Sequence, residues 1–322
     1  MDRRQLTGVA LILASAAGFG SGSLFAQPVY GAGVDWLVLL AWRFLFGAGL
    51  TWAWLLLSAD RRAGLRGLDR RTTVATIALG VLYIGNSGAY FAGLQTVSPS
   101  LAALIVYIYP ALVAVLSLRF GRRLRGRRAW LALAIALIGV VLSVGGIDRA
   151  EVPPLDGLLL VVVSPVIYAV FIVLSARLAG ERHDVVGAQA SGGAAATAAS
   201  ALMMTTTASI YWFAALASGR PVLPGAIPAQ AWLGLVGVGV LSTFIAILGF
   251  YAGAQRIGAA QAALISTVEP VWTITLAAIL FGIALTPVQL AGGVLILGGV
   301  LIAQTGPGSS LTARPVIRLA DE

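Results

Sequence analysis

The sequence has no cysteine and a single histidine, His183. The first absence excludes disulfide frameworks, thiolate metal sites and cysteine nucleophiles together. The second leaves too little for imidazole chemistry, because His183 lies in a charged connection and reads as a solvated loop residue. Charge is scarce as well: 10% of the 322 residues are charged against 59% hydrophobic, and the mean hydropathy is +0.95. A soluble domain cannot wet its surface with so few charges. The chain therefore belongs in lipid, and whatever it does happens within the membrane.

All 21 basic residues are arginine, and the net charge is +9. Most of these arginines fall in short connections between apolar runs, which is a topology signal rather than a nucleic-acid footprint. Spans of roughly 20 apolar residues are expected near 6–26, 35–58, 72–93, 99–118, 129–146, 156–177, 187–217, 230–253, 258–281 and 287–304. Arg3 and Arg4 precede an apolar stretch like that of a signal peptide, but no cleavage-type junction follows, so it reads as a retained first helix. With the amino terminus inside, eighteen arginines lie on the cytoplasmic side and only Arg149 and Arg220 outside, with Arg43 inside a span. Both termini are then cytoplasmic, in a multi-pass protein of the bacterial cytoplasmic (inner) membrane.

Internal repetition organises the chain. YFAGLQTVSPSLAALIVYIYP at 90–110 and FYAGAQRIGAAQAALISTVEP at 250–270 align at an offset of 160 without a gap. Ala92, Gly93, Gln95, Ala102, Ala103, Leu104, Ile105 and Pro110 recur as Ala252, Gly253, Gln255, Ala262, Ala263, Leu264, Ile265 and Pro270, and Gly139-Val140 recurs as Gly299-Val300. In the first span of each half, Gly8 and Ser15 correspond to Gly157 and Ser164, at an offset of 149. The expected fold is thus an all-α integral membrane protein of ten transmembrane helices, built as two inverted five-helix repeats. An odd number of spans per repeat turns the second copy upside down, an arrangement typical of alternating-access carriers with a midplane site. The repeats run over 6–146 and 156–304, followed by a cytoplasmic tail, 305–322.

Several segments resemble the EamA family of the drug/metabolite transporter superfamily. They are AWRFLFGAGL in the second span, SLAALIVYIYPALVAVL with the following GRRL, IYAVFIVLSARLAG in the sixth, AALISTVEPVWTITLAAILFG in the ninth and GGVLILGGVLIA in the tenth. The Glu269-Pro270 pair is the most specific of these features, and the resemblance spans about residues 6 to 304. It implies ten helices in two halves, export or exchange of small metabolites, and a central cavity lined by the first four helices of each half. Amino acids are a common substrate class, with YddG-like aromatic amino-acid exporters as one branch. The first span reads AAGFGSGSLFAQPVYG and lacks the mid-helix tryptophan of many relatives, which leaves the branch open.

Arg43 is the only basic residue inside a span, eight residues and about 12 Å beyond Asp35. Charge at mid-bilayer costs roughly 2.5–3.5 kcal/mol on insertion scales, so the side chain should face protein or a wet cavity, as a substrate or gate group or as a packing residue. Glu269 is the only carboxylate well inside a span, at comparable depth. It reads as a coupling group or as half of a buried pair with Arg43. Pro270 and its repeat mate Pro110 each remove a helix hydrogen bond, marking hinges beside Glu269 and Tyr109. Tyr83, Asn86, Ser87 and Tyr90 fall on one polar face of the third span, opposite Thr243, Ala246, Ile247 and Phe250 in the eighth. Tyr107, Tyr168, Phe244 and Trp272 are candidates for added aromatic surface.

An intramembrane enzyme is disfavoured, since a serine protease needs a histidine within a span and a metalloenzyme needs clustered ligands. A channel or a non-transporting receptor or scaffold is the alternative, but no filter sequence is present. The reading is therefore a secondary transporter, an exporter of small metabolites with amino acids the favoured class. No cofactor or metal and no nucleic-acid partner is expected. The partners are a small-molecule substrate and the lipid bilayer, and the chain is a monomer or weak homodimer.

Overall fold

The computed structural model describes residues 3–66, 68–93, 96–97, 102, 105–120, 124, 126–144, 153–178, 193–281 and 286–305. Every regular element among them is helical: α1 (Arg3–Gly31), α2 (Trp36–Leu56), α3 (Ala59–Arg66), α4 (Arg70–Gly93), α5 (Tyr109–Phe120), α6 (Gly126–Val144), α7 (Leu155–Leu178) and α8 (Gly193–Ala217), then α9 (Trp232–Gly239), a π-helical segment (Val240–Ile245), α10 (Ala246–Ile257), α11 (Ala259–Ser266), α12 (Glu269–Phe281) and α13 (Pro287–Thr305). His183, Gln95, Ala103, Leu104, Arg149 and most of the tail expected over 305–322 lie outside the described residues.

Among the described residues, seven stretches are long and apolar enough to cross a bilayer: Arg3–Gly31, Trp36–Leu56, Arg70–Gly93, Leu155–Leu178, Thr197–Ala217, Ala229–Ile257 and Ala259–Leu280. Tyr109–Phe120 and Pro287–Ala303 are shorter apolar helices. The chain is a multi-pass membrane protein. Short α3 was not expected from the sequence, whose arginines read as a loop. It forms because those arginines close the end of α2: Arg61 Nε donates to Trp54 O at 2.7 Å and its guanidinium lies 4.0 Å from the Trp54 ring centroid, while Arg62 donates to Leu56 O. Unsatisfied helix carbonyls and the negative dipole end favour such cations. At the start of α4, Asp69 accepts from the Thr72 N–H at 2.8 Å. The Thr72 hydroxyl first, and then this N–H, hold its carboxyl below the usual range.

Helix contacts come in pairs related by exchanging the halves. α1 packs on α10 and α12, while α4 and α5 pack on α7; α2 packs on α8, α5 on α11 and α6 on α13. The glycines show why. A Cβ on Gly253 would sit 2.6 Å from Ile12 Cδ1 and 2.9 Å from the Gly8 carbonyl. A Cβ on Gly93 would sit 2.5 Å from Val161 Cγ2 and 3.1 Å from the Gly157 carbonyl. Gly139 abuts the Gly292 carbonyl and Ile296, and Gly299 abuts the Ala132 carbonyl and Ala136. Each contact maps onto its partner by the sequence offsets, so small residues admit the same close backbone approach twice.

The fourth and ninth expected spans are both broken ahead of their prolines. Thr267 and Val268 form a turn between α11 and α12, with Val268 N bonded to Ile265 O at 3.1 Å. Its mate is the turn at Tyr107 and Ile108, with Ile108 N bonded to Ile105 O at 3.2 Å. Helix resumes at Glu269 and at Tyr109. Gly258, at φ 92°, makes the tight turn between α10 and α11 that a side chain would strain.

Candidate functional site

Arg43 is buried, yet it does not pair with Glu269: no ion pair within 4 Å joins them. Its Nε donates to Thr243 Oγ1 at 2.9 Å and its Nη2 to the Ser242 carbonyl at 3.0 Å. Both acceptors belong to the π-helical segment. There the Ala246 N–H bonds to the Leu241 and Thr243 carbonyls, so the Ser242 carbonyl, its usual α-helical acceptor, is left for the guanidinium. α1 braces the same segment, with Ser242 Oγ donating to Gly18 O at 2.8 Å and Ser15 Oγ to Ala246 O at 2.6 Å. The guanidinium also lies 5.4 Å from the Phe44 ring and 5.9 Å from the Phe91 ring. Asp35 caps α2 and meets Arg220 at 3.4 Å, the one ion pair within 4 Å found among the described residues.

The third-span face divides in two. Asn86 is buried and its Oδ1 accepts from Ser164 Oγ at 2.8 Å. Ser87 shares a 2.7 Å hydrogen bond with the Tyr211 hydroxyl. Tyr83 is buried against Phe171, Phe44 and Tyr168, with ring centroids 4.8, 5.7 and 6.4 Å away. Tyr90 alone of the four is half-buried, with its ring against Phe91 at 5.5 Å. Asn86 and Ser87 thus join helices, while Tyr90 packs beside Val97, Ala102 and Val161 with part of its surface uncovered.

Glu269 opens α12 and is half-buried. Tyr107, Tyr83, Tyr90, Tyr109, Tyr168 and Arg43 all lie within the electrostatic reach of its carboxyl. Tyr109 and Tyr168 meet edge to face at 4.9 Å. One carboxylate and five tyrosines from the third, fourth, sixth and ninth spans therefore converge where the two broken helices meet. Glu269 and Tyr168 come from one half and the remaining tyrosines from the other.

Phe244 lies half-buried in the π segment. Trp272 is 43% exposed, and its indole N–H donates to Ser21 on α1 at 3.0 Å. Pro110 and Pro270 are buried just past the two turns. The residues that sequence reading missed are Ser242, Tyr211, Phe91 and Phe171. Ser164 was seen only as a repeat marker; its signal was a polar residue kept twice in an apolar helix.

Residues 6–145 and 155–305 each match the EamA-like transporter family. The chain belongs to the EamA-like transporter family. This EamA-like transporter is 28% identical over 296 residues to a protein named "Uncharacterized transporter" from Archaeoglobus fulgidus, covering 92% of this chain and 96% of that one. It is 25% identical to "Uncharacterized transporter YcbK" of Bacillus subtilis, over 94% and 93% of the two chains. A solved crystal structure shares its fold at 21% identity and a TM-score of 0.75, covering 93% of this chain and 96% of that chain. Among the described residues of the EamA-like transporter, no group of three or more His, Asp or Glu is placed to hold a metal.

Proposed function

We propose that this protein is a secondary transporter that exports small metabolites, amino acids being the favoured class, by alternating access at a midplane site between its halves. It works in the cytoplasmic membrane with both termini inside, as ten spans in two inverted repeats over 6–146 and 156–304, as a monomer or weak homodimer. The observation that carries the reading is the half-buried Glu269, set at a break in its helix and faced by tyrosines of both halves. A carboxylate so deep in lipid is costly unless it serves a path for solute or proton. Breaks at repeat-related places give each half an element that can tilt, and the half-buried Glu269, Tyr90 and Tyr168 border the space that tilting would open.

The test is counterflow. Purified protein in liposomes preloaded with an unlabelled amino acid should accumulate its labelled form, and empty liposomes should not. Flux that rises linearly with concentration and shows no counterflow identifies a channel instead.

A further inference from the structure

Which end of the substrate the site reads is written in how its two charges are used. Arg43 serves the fold through two of its five N–H donors: Nε and Nη2 hold Thr243 and Ser242, and the guanidinium lies near Phe44 and Phe91. A substrate carboxylate that drew those two donors away would break two charge-assisted bonds and leave the Ser242 carbonyl unsatisfied in an apolar interior. Glu269 is the reverse. Among the described residues no cation lies within 4 Å of it, Arg43 acts on it only at longer range, and it is half-buried with Tyr107 among its polar neighbours.

A carboxylate in this setting attracts a cation and repels a second carboxylate, the more strongly because water is sparse. Tyrosines stand around it, and an aromatic ring suits a cation, since an ammonium is attracted to the ring face the more strongly as it is desolvated. Tyr90, Tyr168 and Phe91 are half-buried and supply both aromatic surface and phenol hydroxyls.

We propose that the site between the halves takes a small molecule by its protonated amine, seated against Glu269 and Tyr107, with an apolar, ring-bearing body against Tyr90, Tyr168 and Phe91, and that no substrate carboxylate is required. This inference rests on the transporter reading and narrows it: an amino acid enters as an amine, and Arg43 is a positioning residue that holds the π segment.

Three probes with one phenyl body separate the possibilities: 2-phenylethylamine, phenylalanine and 3-phenylpropionate, titrated calorimetrically into the purified full-length protein at neutral pH. The amine and the zwitterion should bind within about tenfold of each other, and the acid at least about tenfold more weakly. Glu269→Gln should weaken both amine-bearing probes by at least about tenfold, with a melting temperature near that of the parent. Equal binding of 3-phenylpropionate, or amine binding that survives Glu269→Gln, overturns the proposal. If none of the three binds but the protein counterflows a solute without an amine, the amine reading falls and the transporter reading stands. If no solute in a broad metabolite panel moves, the transporter reading falls and takes this one with it.

Discussion

Arg43 and Thr243 meet across the interface between the halves, Nε to Oγ1 at 2.9 Å, and of the two readings offered for Glu269 it is the ion pair with Arg43 that this structure does not form. A π-helical turn frees a backbone carbonyl, and a guanidinium, with donors in a fixed fork, can take that carbonyl and the neighbouring hydroxyl together. Arg43→Ala should therefore destabilise the fold by several kcal/mol, since bonds to a charged group contribute about 1.5–3 kcal/mol each. Thr243→Val removes one of the two bonds and should cost less than Arg43→Ala, about 1.5–3 kcal/mol. Thermal melts in detergent measure both. If Arg43→Ala melts like the parent, the strap contributes nothing.

Asn86 and Tyr90 share a helix face but should behave differently. Ser164→Ala removes the donor to Asn86 and leaves a buried oxygen unsatisfied, at a cost of about 1–3 kcal/mol. Tyr90→Ala should lower transport while leaving the melting temperature within a few degrees. A Tyr90 variant that fails only by unfolding would assign that ring to packing.

The glycine crossings predict matched defects in the two halves. Gly253→Leu and Gly93→Leu should each reduce the yield of monodisperse protein, because the Gly8 and Gly157 carbonyls belong to the opposing helix backbone and have little room to yield. Gly225→Ala meets nothing within 4 Å and should be silent. Size-exclusion profiles of the three variants decide it.

Glu269→Gln keeps the side-chain shape and mimics the protonated acid. We expect a folded protein whose net transport no longer responds to a pH gradient although slower exchange of substrate persists. Unchanged rate and pH dependence in liposomes would falsify a coupling role and leave Glu269 to helix packing.

Orientation is tested by fusing alkaline phosphatase to the carboxyl terminus. On the proposed topology, with eighteen arginines inside and two outside, that end is cytoplasmic, so the reporter should be inactive. High activity there reverses the topology.

The sequence by itself determined the solvent, the repeat and the deep polar residues. Apolar runs, arginine placement and the 160-residue offset are properties of the chain order, and lipid leaves the backbone few alternatives to helix. Gly93 and Gly253 were legible as repeat mates for that reason, and Pro110 and Pro270 as points where a helix loses a bond. Tertiary structure alone decided which partners the polar groups found. Whether Arg43 meets Glu269 or the Ser242 carbonyl depends on a π turn that no local pattern in VLSTFI announces. It depends also on α1 approaching closely enough at Gly18 for Ser242 to bond its carbonyl. Likewise Asn86 was drawn to Ser164 because α4 and α7 cross where both are buried, and Glu269 gathered tyrosines from spans far apart in sequence. Depth in the membrane follows from position along a helix, but pairing follows from how helices rotate and cross, and that is settled only when the whole bundle packs.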